Sequence, residues 1–200
     1  MTLRRTFDSF ISQPAIYKFQ TRILGRGKLD DEMRIVVSKV CENLQPGIVA
    51  DVGGGTAQTR ELWPDSWRYI SIDPDERMTQ LNDKQSIERK IGSAGELPFE
   101  DGSVDVVLTQ NTSHHLDDET WKAFLDETLR VLKPHGVLLF MDAVLNKSRH
   151  ISNIFWKFDA GHFQRTASEL EESIAGTFVI TETRRMTLIH DVLTVTATKP

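Results

Sequence analysis

The residues best equipped for chemistry are a glycine loop, two aspartates and a pair of histidines. The stretch Ala50-Asp51-Val52-Gly53-Gly54-Gly55-Thr56-Ala57 follows a predicted strand and opens a predicted helix. Three consecutive glycines let a backbone turn sharply and approach a ligand with no Cβ in the way. Asp73 follows near the ~20-residue offset at which a carboxylate can accept hydrogen bonds from both hydroxyls of a ribose. Loop and acid together describe a nucleoside pocket; the loop alone is weak evidence, with a tight strand-to-helix turn as the alternative. A dinucleotide fingerprint needs a small residue three places after its second glycine, so that a pyrophosphate can meet the helix end. Counting from Gly55, that place holds Gln58, which disfavours a pyrophosphate. His114 and His115 titrate near neutral pH and could deprotonate a hydroxyl or amine. The alternative is that they pack, or hydrogen-bond their own loop.

These groups need a scaffold, and the apolar periodicity supplies one. Met33, Val36, Val37, Val40, Cys41 and Leu44 recur at helical spacing behind Asp30, Asp31 and Glu32, and Pro46-Gly47 stops the helix. Short apolar runs at Ile48 to Val52, Trp67 to Ile72, Val104 to Leu108 and Val137 to Met141 alternate with helical segments near Asp75 to Asn82 and Asp118 to Leu132. Such alternation predicts a parallel sheet with helices on both faces and ligands at the carboxyl ends of the strands. A helix from Ser168 to Ile174, capped by Thr166 with Glu169 three places on, precedes two runs, Phe178 to Leu188 and Asp191 to Thr198, spaced to pair as a hairpin. The simplest division is an N-terminal helical extension over 1–46 and one α/β domain over 47–200.

Composition narrows the function classes. The 200 residues carry 24 Lys plus Arg against 29 Asp plus Glu, a net charge of -5 that opposes a phosphate backbone, so a nucleic-acid partner is not expected. The single cysteine, Cys41, excludes an intrachain disulfide and a Cys-based zinc site and suits a reducing, cytoplasmic setting. Arg4, Arg5 and Phe7 mimic a twin-arginine export signal, but Asp8, Ser9, Gln13 and Pro14 interrupt the apolar stretch that must follow. No run of ~18 apolar residues occurs, so no stable membrane insertion is expected. The acidic runs Glu100-Asp101 and Asp117-Asp118-Glu119 read as a turn and a helix start, and no metal is expected.

The chain resembles class I S-adenosylmethionine-dependent methyltransferases, in the small-molecule group similar to ubiquinone and menaquinone biosynthesis methyltransferases. Asp51-Val52-Gly53-Gly54-Gly55, Ile72-Asp73, Leu97-Pro98-Phe99, Asp101 to Val107, His114-His115 and Arg130-Val131-Leu132-Lys133-Pro134 carry the resemblance, over roughly Ile48 to Met141. It implies a Rossmann-like fold: a seven-stranded, mostly parallel sheet with a C-terminal antiparallel hairpin and helices on both faces. It implies S-adenosyl-L-methionine as cofactor and methyl transfer to O, N or C of a small metabolite, aromatic or polyketide-like acceptors included, by a monomer or homodimer. Asp51 would lie near the methionine ammonium, Gly53, Gly54 and Gly55 would carry the backbone past the cofactor, and Asp73, followed by Pro74, would hold the ribose. Ser93-Ala94 stands where the group usually has Asp-Ala at the adenine, and Gln110 would present its backbone to the methionine part. Ala57 and His135 replace two usual glycines.

His115, and then His114, are the candidate bases. Trp156, His162 and Arg165, in an aromatic and polar stretch from Phe155 to Thr166, are candidate acceptor contacts, with a packed cover as the alternative. The apolar residues between Phe7 and Leu24 suit a lid over the acceptor, or a dimer-forming arm. Two rival functions stay open: a nicotinamide-dependent oxidoreductase and a non-catalytic cofactor-binding protein.

Overall fold

A computed structural model describes residues 26–77, 87–157, 159 and 161–200. In chain order the elements are α1 (Arg26–Asn43), β1 (Ile48–Val52), a 3-10 turn (Gln58–Leu62), β2 (Arg68–Asp73), β3 (Glu88–Ile91), β4 (Val104–Gln110), a 3-10 turn (Ser113–His115), α2 (Asp118–Val131), β5 (Leu132–Val144), α3 (His150–Trp156), α4 (Ala167–Ala175), β6 (Val179–Thr187) and β7 (Asp191–Thr198). The strands form one sheet in the order β3-β2-β1-β4-β5-β7-β6. The first five run parallel, and β7 pairs antiparallel with both β5 and β6.

Strands covered on both faces must be apolar on both. Along β4, Val104 and Val107 join one buried cluster, with Trp121, Phe124, Leu125, Leu170 and Ile174 of α2 and α4. Val106 and Leu108 join the opposite cluster, with Met33, Val36, Val37 and Val40 of α1 and with Trp63 and Trp67. The described part of segment 1–46 is thus a covering layer of the sheet. The suggested lid at Phe7 to Leu24, and most of the helix expected near Asp75 to Asn82, lie outside the described residues.

Helix ends follow the local sequence. Asp117 accepts the Thr120 amide at 2.8 Å to open α2, and Thr166 and Glu169 form a reciprocal capping box at α4. One expectation is corrected: the glycine loop opens only the five-residue 3-10 turn Gln58–Leu62, not an α-helix. Trp63-Pro64 follows at once, and the residue before a proline is pushed towards extended backbone; Trp63 has ψ 136°.

Several motif residues serve the frame. The Arg130 guanidinium donates to Glu127, to Asp101 and to the carbonyls of Phe99 and Leu97 at 2.7–3.0 Å, fastening the segment before β4 onto α2. Lys133 donates to Asp105 at 2.8 Å, and Asp105 also accepts the Ile48 amide at 2.7 Å, which joins the starts of β1, β4 and β5.

Candidate functional site

The carboxyl ends of β1, β2 and β4 meet at the glycine loop. The amides of Gly53 and Gly54 donate to the Ile72 carbonyl at 2.8 and 3.2 Å, folding the loop over the end of β2. Gly53 has φ 73°, and a Cβ there would stand 2.3 Å from Thr112 Oγ1, so no other residue fits between loop and β4 end. Ala57 at φ 54° and His135 at φ 64° adopt left-handed backbone, at a cost of ~1 kcal/mol each.

Asp73 is buried and binds the loop directly. Its Oδ2 accepts the Gly55 amide at 3.0 Å and its Oδ1 accepts the Asp75 amide at 2.8 Å. A carboxylate has about four acceptor positions, so one remains on each oxygen, the arrangement that a pair of vicinal hydroxyls requires. Asp51 is buried more deeply, and its Oδ2 accepts from Thr59 at 3.1 Å and from the Tyr69 hydroxyl. Burial pushes its pKa up to about 6 against those two hydrogen bonds, and the nearby charge of Asp73 adds to the rise. Neither Thr59 nor Tyr69 was among the residues expected from the sequence. The signal was available: Tyr69, Ser71 and Asp73 alternate with Ile70 and Ile72, so one face of β2 is polar while fully buried.

Other expected cofactor residues sit less tightly. Pro74 and Ser93 are exposed, Ala94 is buried, and Ser93 Oγ accepts the Gly95 amide at 3.2 Å. The Gln110 carbonyl accepts from Thr112 at 3.1 Å, next to Gly53.

The histidines occupy the 3-10 turn just past Thr112. His114 is buried, with Nδ1 2.7 Å from Asp142 Oδ1 and Nε2 3.7 Å from Asp159 Oδ1. Asp142, fully buried on β5, also accepts the Ser113 amide at 2.8 Å and the Ser113 hydroxyl at 2.5 Å. Burial opposes charge on both partners, but the attraction between them prevails: the His114 pKa rises and that of Asp142 falls. The exposed His115 ring lies 4.3 Å from that of His114, and burial of part of the ring together with the His114 charge lowers its pKa.

Trp156 packs on His114 and on His190, with ring centroids 5.6 and 4.4 Å away. The following loop straps the histidines, since the Phe163 amide donates to the His114 carbonyl at 3.0 Å. Arg165 is committed within this loop: its guanidinium donates to the carbonyls of Ser113 and Leu116 and to Asp118, at 2.6–3.0 Å. His162 is exposed beside it. The structure therefore gathers Asp51, the glycines and Asp73 at adjacent strand ends, sets the histidines just past Thr112, and uses Arg165 as a brace.

Residues 50–140 match the family described as "Methyltransferase domain". The chain is 36% identical over 124 residues to phthiotriol/phenolphthiotriol dimycocerosates methyltransferase 1 of Mycobacterium ulcerans, covering 60% of this chain and 43% of that protein. It is 31% identical over 124 residues to 2-methyl-6-phytyl-1,4-hydroquinone methyltransferase of Synechocystis, covering 58% and 38%. The chain thus spans less than half the length of these relatives. The fold matches geranyl diphosphate C-methyltransferase of Streptomyces coelicolor A3(2) with a TM-score of 0.69 at 12% identity, over 95% of this chain and 88% of that one. The family match spans 91 of the 200 residues, and the chain shares the fold of that methyltransferase structure. Among the described residues, no helix is long and apolar enough to cross a membrane.

Proposed function

We propose that the chain is an S-adenosylmethionine-dependent methyltransferase acting on a small-molecule acceptor at O, N or C. The observation that carries this reading is the pair of buried carboxylates, Asp51 and Asp73, at adjacent strand ends with the glycine loop tied to Asp73 at 3.0 Å. The donor set fits the cofactor: a carboxylate for an ammonium, a two-oxygen acceptor for a ribose, and bare backbone between them. Once bound, the cofactor supplies an electrophilic methyl group on a sulfonium.

The protein's part is placement and proton removal. Asp51 offsets the ammonium charge, Asp73 orients the ribose, and Gln110 with Thr112 leads from the pocket to the histidines. His115 faces the acceptor and takes its proton, while His114 is held between Asp142 and Asp159. An apolar acceptor suits the surroundings. Ile151, Ile154 and Phe155 on α3, with Phe163 beyond it, are exposed by 42–69% next to Trp156. Both curated relatives described above are named for acceptors with long hydrocarbon parts, which supports the same class.

A nicotinamide dinucleotide suits this loop less well, because Gln58 begins a short 3-10 turn and turns its amide onto Thr56 at 2.7 Å. Calorimetric titration with S-adenosylhomocysteine and, separately, NAD tests the reading. Selective binding of the first is expected. Binding of NAD alone, or of neither, overturns it.

A further inference from the structure

We propose that His114, His115 and Asp159 form a binding site for a divalent first-row transition ion, with zinc as its representative. Each side chain offers one ligand atom, and these atoms lie within 4.8 Å of one another. Metal–nitrogen and metal–oxygen bonds of ~2.0–2.2 Å place two ligands of one ion no more than about 4.2 Å apart. A small rotation closes the gap, since the His115 side chain is exposed and that of Asp159 is only half-buried.

The orientation of His114 is what distinguishes this cluster from a chance gathering of polar side chains. Its Nδ1 meets buried Asp142 at 2.7 Å, and Asp142 is itself held by Ser113. An imidazole that gives its Nδ1 proton to a carboxylate presents the Nε2 lone pair outward in a fixed direction, as metal-binding histidines characteristically do. Nε2 points towards Asp159 Oδ1, 3.7 Å away, and the Gly161 amide steadies that oxygen at 2.7 Å. The His114 ring is also fenced in: a Cβ on Gly161 would lie 2.2 Å from its Cδ2. His162 and His190 lie within electrostatic range, so four of the six histidines of the chain gather here.

Two imidazoles and one carboxylate select zinc, cobalt, nickel or iron over magnesium and calcium, which prefer oxygen alone. Three protein ligands leave a position open, as catalytic sites do. That position suits an acceptor oxygen, a role that rests on the methyl-transfer reading. With the ion bound, His115 would serve as a ligand in place of the base role proposed above, and a coordinated hydroxyl, acidified by the ion, would release its proton to solvent.

The test uses the full chain without an affinity tag, stripped with a chelator and titrated with Zn²⁺ by calorimetry and with Co²⁺ by visible absorption. One ion per chain is expected. His115→Ala and Asp159→Ala should each weaken binding at least tenfold, Asp142→Asn 10–100-fold, and His150→Ala, outside the cluster, not at all. Circular dichroism of the metal-free variants verifies their fold, and if Asp142→Asn fails to fold the other two still decide. The absence of saturable binding, or binding that survives both His115→Ala and Asp159→Ala, overturns the site. Separate titration with S-adenosylhomocysteine keeps the two readings apart. A protein that binds zinc and not this ligand retains the metal site and loses its role for an acceptor, whereas the reverse result removes the metal site alone.

Discussion

Replacing Asp51 by Asn should stabilise the fold and weaken cofactor binding together. The Asp51 carboxyl rises from 3.8 to about 6 because burial penalises its charge, and the hydrogen bonds from Tyr69 and Thr59 recover only part of the penalty. A carboxyl with a raised folded pKa contributes stability that is complete below its unfolded pKa and is lost as pH rises through the folded value. At neutral pH the ionised group therefore costs about 3 kcal/mol, at 1.36 kcal/mol per unit. Asn keeps an oxygen for Tyr69 and Thr59 and carries no charge. The stability gained by Asp51→Asn should grow from about 1–2 kcal/mol at pH 5 to about 3 kcal/mol at pH 8. For a chain of this size 3 kcal/mol is roughly 6–12 °C in Tm. Denaturant unfolding of both proteins at the two pH values measures it, because titrating groups that do not interact with Asp51 cancel in the difference. A difference that is flat, or that shrinks as pH rises, would refute the assignment of strain to this carboxylate. Affinity for S-adenosylhomocysteine should fall about 10–100-fold in the same variant, as expected for loss of a charged partner.

Asp73→Ala should weaken S-adenosylhomocysteine at least tenfold in calorimetry, since it removes both the proposed ribose acceptor and the tether of the Gly55 amide. His115→Ala should lower the methyl-transfer rate with an identified acceptor and leave cofactor affinity within twofold; full turnover would remove this residue from the chemistry. Gly161→Ala should cost about 1–3 kcal/mol in thermal or denaturant unfolding, because the new methyl group overlaps the His114 ring. Unchanged stability would mean that the strap over His114 yields easily.

The frame of this molecule is largely written in its periodicity. The runs at Ile48, Trp67, Val104 and Val137 are strands because two covered faces demand apolar side chains in succession, and Thr166 with Glu169 announces α4 through capping chemistry alone. The edge strand β3 escapes such reading, since Glu88, Arg89 and Lys90 carry no apolar pattern. The missing α-helix after the glycine loop has a local cause, Trp63-Pro64, that the glycines obscure. At the proposed site, Asp51, Gly53, Gly55 and Asp73 stand out in the spacing because one strand–loop–strand unit carries all four. Asp142 and Asp159 are not: each reaches His114 from a distant part of the chain, and only the folded sheet reveals the contact.

The β6–β7 hairpin has a kinetic consequence. β7 forms a complete antiparallel ladder with β5, the longest strand, and β6 is fastened back to α1 through Lys39–Glu182 at 2.7 Å and Arg184–Glu32. The partners in those two ion pairs stand 143 and 152 residues apart. While the chain emerges from a ribosome, the apolar β5 therefore waits with one edge unpaired, and an open edge of that length invites pairing with another chain. That edge of β5 is closed only when the β6–β7 hairpin docks. Cleavage between α4 and β6 that released the hairpin would bare this edge of β5 and favour aggregation, even though every residue of the proposed cofactor site would still be present.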